Sequence, residues 1–164
     1  MYLVIFALLT KTKTHTKEME KGILDLHSYW AFAVLVLLLL ASLNAFLGLS
    51  AKRAFLPKDR QIALLALIFT HLQFVFGLVL LFTSAKLEAA KALGMGGLMK
   101  NAELRKLLVE HPLINLIAIV LITIGWSTHK RTDDSTKKFK KIAIFYAIGL
   151  ILLLSRIPWN QWLS

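Results

Sequence analysis

The sequence contains no cysteine. That absence removes disulfides, thiolate metal sites and covalent haem attachment through Cys-x-x-Cys-His. Acidic residues are also scarce, 9 against 20 lysines and arginines, which leaves a formal charge of +11. In a soluble chain such a balance would point to nucleic acid. Here the basic residues flank apolar runs instead of forming a stripe, so membrane topology accounts for them and no nucleic-acid partner is expected. No nucleophile–base pair stands out, and the loops are too short for a catalytic domain. The chain therefore reads as a carrier or accessory subunit before an enzyme.

Apolar residues supply what is present: 57% of the chain is hydrophobic and the mean hydropathy is +0.67. A helix needs about 20 apolar residues to cross a bilayer, so this length accommodates four short-looped spans and little else. The expected fold is an all-α membrane protein, a four-transmembrane-helix up-down bundle. The spans fall at about 28–49, 62–83, 107–127 and 141–159, within a transmembrane domain over 27–164. Residues 1–26 form a separate N-terminal tract. Met1–Leu9 is too short to span and runs into KTKTHTKEMEKG, which reads as an interfacial segment or as sequence ahead of a native start at Met19.

Orientation follows from basic density in short loops. The loop after the first span carries Lys52, Arg53, Lys58 and Arg60. The loop before the last carries Lys130, Arg131, Lys137, Lys138, Lys140 and Lys141. These two loops are placed in the cytoplasm, with both termini outside it, in a bacterial inner membrane. Tyr29, Trp30, Trp159 and Trp162 would then form an outer aromatic belt and Trp126 an inner one.

Ionisable groups in a span are costly unless they face protein, water or a ligand, so each is a functional candidate. His27 lies at the mouth of the first helix. Glu110 and His111 lie near the start of the third, with His111 about 6 Å inside it at 1.5 Å per residue. Arg156 closes the fourth at the same level. His71 sits deeper, about 16 Å down the second helix, and is not expected to share a centre with His111. In an up-down bundle the first and third helices are diagonal. Their histidines, in LHSYW and EHPLI, would then face each other across the core. That geometry suits bis-histidine ligation of a haem iron by His27 and His111, with Arg156 on a propionate. Asn115, four residues after His111 and on the same face, is expected to bond a propionate or the partner ring.

Plainer readings compete at each position. Glu110 and Arg156 are equally readable as an ion pair closing the bundle. Gly77 reads as a packing notch, Pro112 as a marker of where the third span begins, and His129 as a solvated loop residue.

LHSYW, THLQFVFG, VEHP and SRIPW together resemble a family of small bacterial four-span proteins called cytochrome B, over roughly Gly22 to Trp162. There is a looser likeness to one half of haem A synthase, in which a glutamate precedes the haem-binding histidine by a longer gap. Glu110 and His111 are adjacent here, which argues against carrying over that enzyme's oxidation chemistry. The resemblance implies a haem b membrane protein with His27, His71 and His111 as candidate ligands. Its partners would be lipid and a quinone or respiratory membrane complex. The alternative expectation is a haem-free accessory or assembly protein whose outer polar cluster is structural.

Overall fold

In a computed structural model of the chain, residues 2–162 are described, with side chains described from residue 17 onward. Among them there is no strand. The helices are α1 (Tyr2–Ser50), α2 (Pro57–Thr83), α3 (Ala85–Lys100), α4 (Ala102–Arg105), α5 (His111–His129), α6 (Ser135–Ser155) and α7 (Trp159–Trp162). A single π-helical turn, Lys106–Glu110, joins α4 to α5. The expected interfacial character of Met1–Leu9 concerns side chains outside the described residues.

Among the described residues three stretches are long and apolar enough to cross a membrane: Lys17–Ser50, Pro57–Thr83 and Ala102–His129. The expected fourth span falls short on that measure. α6 opens on STKKFKK, so its uncharged run begins only at Ile142 and is interrupted by Arg156. At 1.5 Å per residue the run Ile142–Ser155 covers roughly 21 Å, less than the hydrocarbon thickness of a typical bilayer.

α1 packs on α2 and α6, and α5 packs on the same two helices. Contact registers set the directions. His27 meets Gln73, Trp30 meets Phe69 and Asn44 meets Asp59, so α1 and α2 run antiparallel. Lys141 meets Thr128 and Gly149 meets Ile122, so α5 and α6 do too. The first and third long helices, α1 and α5, therefore stand diagonally.

Small residues let these helices approach closely. Val34, Leu38, Ala41 and Ala45 of α1 form a buried stripe at helical spacing, met by Ala63 and Ala66 of α2 and by Phe139, Ala143 and Tyr146 of α6. The Tyr146 hydroxyl lies on the Ala63 carbonyl at 2.9 Å, which satisfies the one polar atom of that fully buried ring. Gly149 is a notch of the same kind: a Cβ there would stand 2.6 Å from Ile122 Cγ1 and 3.4 Å from the Ala118 carbonyl oxygen. Gly149→Ala is expected to spread α5 from α6 and destabilise the fold by about 1–3 kcal/mol, the usual range for overpacking. Thermal unfolding in mild detergent measures this, and an unchanged midpoint would show that the contact yields freely.

The connection through GMGG is itself helical, α3, interrupted at Gly94, whose φ of 66° suits glycine. Pro112 stands in the first turn of α5, and helical backbone already runs ahead of it from Ala102. The π turn immediately precedes Pro112. A proline in a regular helix lacks an N–H and crowds the carbonyl four residues back, and a local widening accommodates it.

At the end of the bundle carrying the 51–56 and 130–134 loops lies a closed polar network. Asp59 is 2% exposed. Its carboxylate accepts from both terminal nitrogens of Arg53 at 2.7 and 2.8 Å, from Asn44 Nδ2 at 2.9 Å and from the Leu56 N–H at 2.8 Å. Arg53 also donates to Asn44 Oδ1 at 2.9 Å and lies 4.6 Å from the Phe139 ring centroid. His129, expected in solvent, is 2% exposed at this same end. The last turn of α5 carries it into a cage of Trp126 and Phe55 rings, with Nδ1 donating to the Trp126 carbonyl.

Candidate functional site

The opposite end gathers the residues singled out from sequence. α1 continues well past His27 toward its N-terminus, so His27 lies within the helix and not at its mouth. Its ring rests against α2 at Gly77, where a Cβ would stand 3.0 Å from His27 Cε1. The packing notch read from sequence thus receives an imidazole. Across the diagonal, the His111 ring centroid is 6.3 Å from that of His27, with the planes at 75°. Gln73, one turn before Gly77 on α2, donates its amide to the His27 carbonyl at 2.9 Å and faces His27 Nε2 at 3.3 Å.

The hydrogen bonds define the tautomers. His111 Nδ1 lies 2.9 Å from the Arg156 carbonyl, which can only accept, so the proton is on Nδ1. The lone pair of Nε2 then accepts from Asn115 Nδ2 at 3.0 Å. In His27, Nε2 accepts from the Gln73 amide and Nδ1 carries the proton. Each histidine thus presents Nε2 as its lone-pair atom, and each Nε2 is capped by a carboxamide. Asn115 bonds its own helix's histidine, not the partner ring.

The cluster is not completed by protein groups. Among the described residues, four buried side-chain polar atoms lack a hydrogen-bond partner, and three of them are His27 Nδ1, Gln73 Oε1 and Asn115 Oδ1. Buried polar atoms in folded proteins are almost always paired, so three orphans around one pair of imidazoles set this layer apart from the rest of the bundle.

Glu110 and Arg156 form the ion pair weighed from sequence, with Arg156 Nε 3.5 Å from Glu110 Oε2. Arg105 is the partner that sequence reading missed: its Nε lies 2.9 Å from Glu110 Oε1 across the π turn. All three side chains are about one-third to one-half exposed, so this is a surface clamp, not a buried charge. Arg156 lies just past the end of α6 as its C-cap, and its carbonyl, not its guanidinium, reaches the histidine pair.

His71 is held elsewhere. Its Nδ1 donates to the Leu67 carbonyl at 2.8 Å and its Nε2 faces Thr123 Oγ1 at 3.3 Å, tying α2 to α5. Thr123 is twelve residues beyond His111, about 18 Å along the helix, so His71 and His111 belong to different layers.

The aromatic belt is only partly one. Tyr29 is 74% exposed, but Trp30 stacks on Phe69 and donates to its carbonyl at 3.1 Å. Trp162 stacks on Phe32 and donates to the Ser28 carbonyl at 3.1 Å, which fastens α7 over the histidine end of the bundle. Among the described residues no group of three or more histidine, aspartate or glutamate side chains could hold a metal ion by itself. Comparison with known proteins finds no matching family model, no matching curated protein and no matching solved structure.

Proposed function

We propose that this chain is a four-span membrane protein that binds haem b between His27 and His111 and carries electrons, as its resemblance to the cytochrome B family implies. The observation that carries the reading is the histidine pair itself. Two residues 84 positions apart, on diagonal helices, bring their rings to 6.3 Å. Imidazoles on opposite sides of one metal, each with a bond of about 2 Å, would hold their centroids roughly 6 Å apart. The Nδ1–H of His111 on a backbone carbonyl orients the ring and makes Nε2, which here accepts from Asn115, the lone-pair atom for ligation, the usual arrangement behind a metal-bound histidine. The orphaned atoms of His27, Gln73 and Asn115 further support a bound group at this place.

Haem held there supplies one-electron chemistry. The chain's own part is to orient His111 through the Arg156 carbonyl, to seat His27 against Gly77, and to surround both with apolar helix faces. To hold the group, both histidines would have to exchange their Nε2 bonds to the Gln73 and Asn115 amides for ligation. Arg156, paired with Glu110, would be the cation available to a propionate. The membrane reading also takes α6 as the fourth span, its Lys140 and Lys141 stems extending along the helix toward the surface. It places the two lysine-rich loops in the cytoplasm, and a quinone or a respiratory membrane complex as the exchange partner.

One observation favours a second reading. Both Nε2 atoms already have an amide donor, and Gln73 ties His27 to α2 while the Arg156 carbonyl ties His111 to the end of α6, so the pair also reads as an interhelical polar lock in a haem-free accessory protein. Haem content separates the two. Purified in mild detergent after expression with ample haem, the protein is expected to carry about one haem per chain and a Soret band that shifts on dithionite reduction. A colourless preparation would overturn the electron-carrier reading and leave the lock.

A further inference from the structure

The opposite end of the bundle carries an arrangement that the histidine site does not use. Three cations from three helices converge on its aromatic cage. The Arg60 guanidinium, from α2, lies 5.8 Å from the Trp126 ring centroid. Lys130 Nζ, at the end of α5, lies 5.2 Å from the same centroid. Lys138 Nζ, from α6, lies 5.8 Å from the Phe55 ring. All three charges act electrostatically on the His129 imidazole beneath them.

Two exposed acids, Asp133 and Asp134, lie in the loop between Lys130 and Lys138, and neither comes within ion-pair distance of the three cations. Among the described residues none of the three is in an ion pair. The buried acid at this end, Asp59, has both oxygens taken by Arg53, Asn44 and the Leu56 N–H. Asp134 caps the first turn of α6 through the Lys137 N–H. Lys141, a fourth cation nearby, is committed to the Thr128 carbonyl at 2.8 Å. Three like charges around His129, two over Trp126 and one over Phe55, repel one another, and an anion among them would relieve that repulsion. A single phosphate offers enough acceptor oxygens for all three.

The surroundings select the source of that phosphate. The cations sit at the rim of the bundle, where the apolar helix faces end, so a headgroup bound there would have its acyl chains alongside those faces. We infer that Arg60, Lys130 and Lys138 form a binding site for the phosphate of an anionic phospholipid, with Trp126 and Phe55 as its floor. This inference rests on the membrane reading and is independent of haem. Basic pockets between spanning helices are a recurrent form of headgroup recognition.

The test keeps site binding apart from diffuse attraction. The full chain in neutral detergent would be titrated with phosphatidylglycerol or phosphatidylcholine in roughly 0.5 M salt, where the Debye length is about 4 Å and long-range attraction is screened. Bound lipid would be counted by native mass spectrometry. Phosphatidylglycerol is expected to be retained over phosphatidylcholine. The triple variant Arg60→Gln/Lys130→Gln/Lys138→Gln should weaken that retention at least about tenfold, given the worth of one basic contact near an anionic surface. The control Lys52→Gln/Lys137→Gln/Lys140→Gln removes the same charge from the same end and should change it less than about twofold.

Equal loss in both triples would overturn the site in favour of diffuse charge. Full competition by millimolar inorganic phosphate would overturn the lipid in favour of a soluble anion. If the triple variant failed to fold, the single changes Lys130→Gln and Lys138→Gln, each on an exposed or half-exposed side chain, should each reduce retention severalfold. No reduction in either would reject the site. Alkaline carbonate extraction of the protein from its membranes is a separate outcome, and would reject the membrane reading itself.

Discussion

Arg53→Ala is expected to lower the thermal unfolding midpoint by roughly 10 °C, because it removes the countercharge and two hydrogen bonds from a carboxylate buried in this structure. Asp59 is 2% exposed and has two of its hydrogen bonds from Arg53. Deleting the guanidinium leaves only Asn44 and the Leu56 N–H to hold the charge. The cost of such a change lies mainly in the unpaired partner, not in the lost attraction. The double variant Arg53→Met/Asp59→Leu should therefore recover a good part of the loss. It will not recover all of it, since Asp59 also satisfies the N–H ahead of α2 and Arg53 covers Phe139. Calorimetry or tryptophan fluorescence in detergent reads both midpoints. A double variant no better than Arg53→Ala would mean that the network acts chiefly by shaping the 51–56 loop.

This network shows where sequence reading stops. Arg53 was legible as a topology charge and Asp59 drew no reading at all, because pattern alone does not show that the α1–α2 turn folds one onto the other. The same holds for Arg105. It counts as one more basic residue until the π turn ahead of Pro112 brings it onto Glu110. His129 misled for a related reason: HKR reads as solvent, yet the last turn of α5 points the ring inward between Trp126 and Phe55.

What sequence did convey was depth. Counting residues from span ends placed His27, Glu110, His111 and Arg156 in one layer and His71 in another, and the contacts of each agree with that ordering. The facing sides were less legible, since helices apolar all round carry no useful periodicity. The informative signal lay in the small residues. Ala41 and Ala45, Ala63 and Ala66, Gly125 and Gly149 mark the contact faces, as close packing between apolar helices requires. The helical connection Ala85–Lys100 had no such marker, and GMGG reads as a loop because glycine is a poor helix former.

On the haem-binding reading proposed above, replacing either His27 or His111 with alanine is expected to have the largest functional effect in the chain: loss of the proposed haem, or conversion from a low-spin to a high-spin centre as one axial bond disappears. His71→Ala should leave the haem in place, since that side chain is bonded to Leu67 and Thr123 in a different layer. Electron paramagnetic resonance of the oxidised, purified protein reads the axial pair directly. The expected result is a low-spin ferric signal in the unsubstituted chain and in His71→Ala, absent from both His27→Ala and His111→Ala. A low-spin signal that survives the loss of either His27 or His111, or one that disappears in His71→Ala, would contradict the assignment of the haem to that pair.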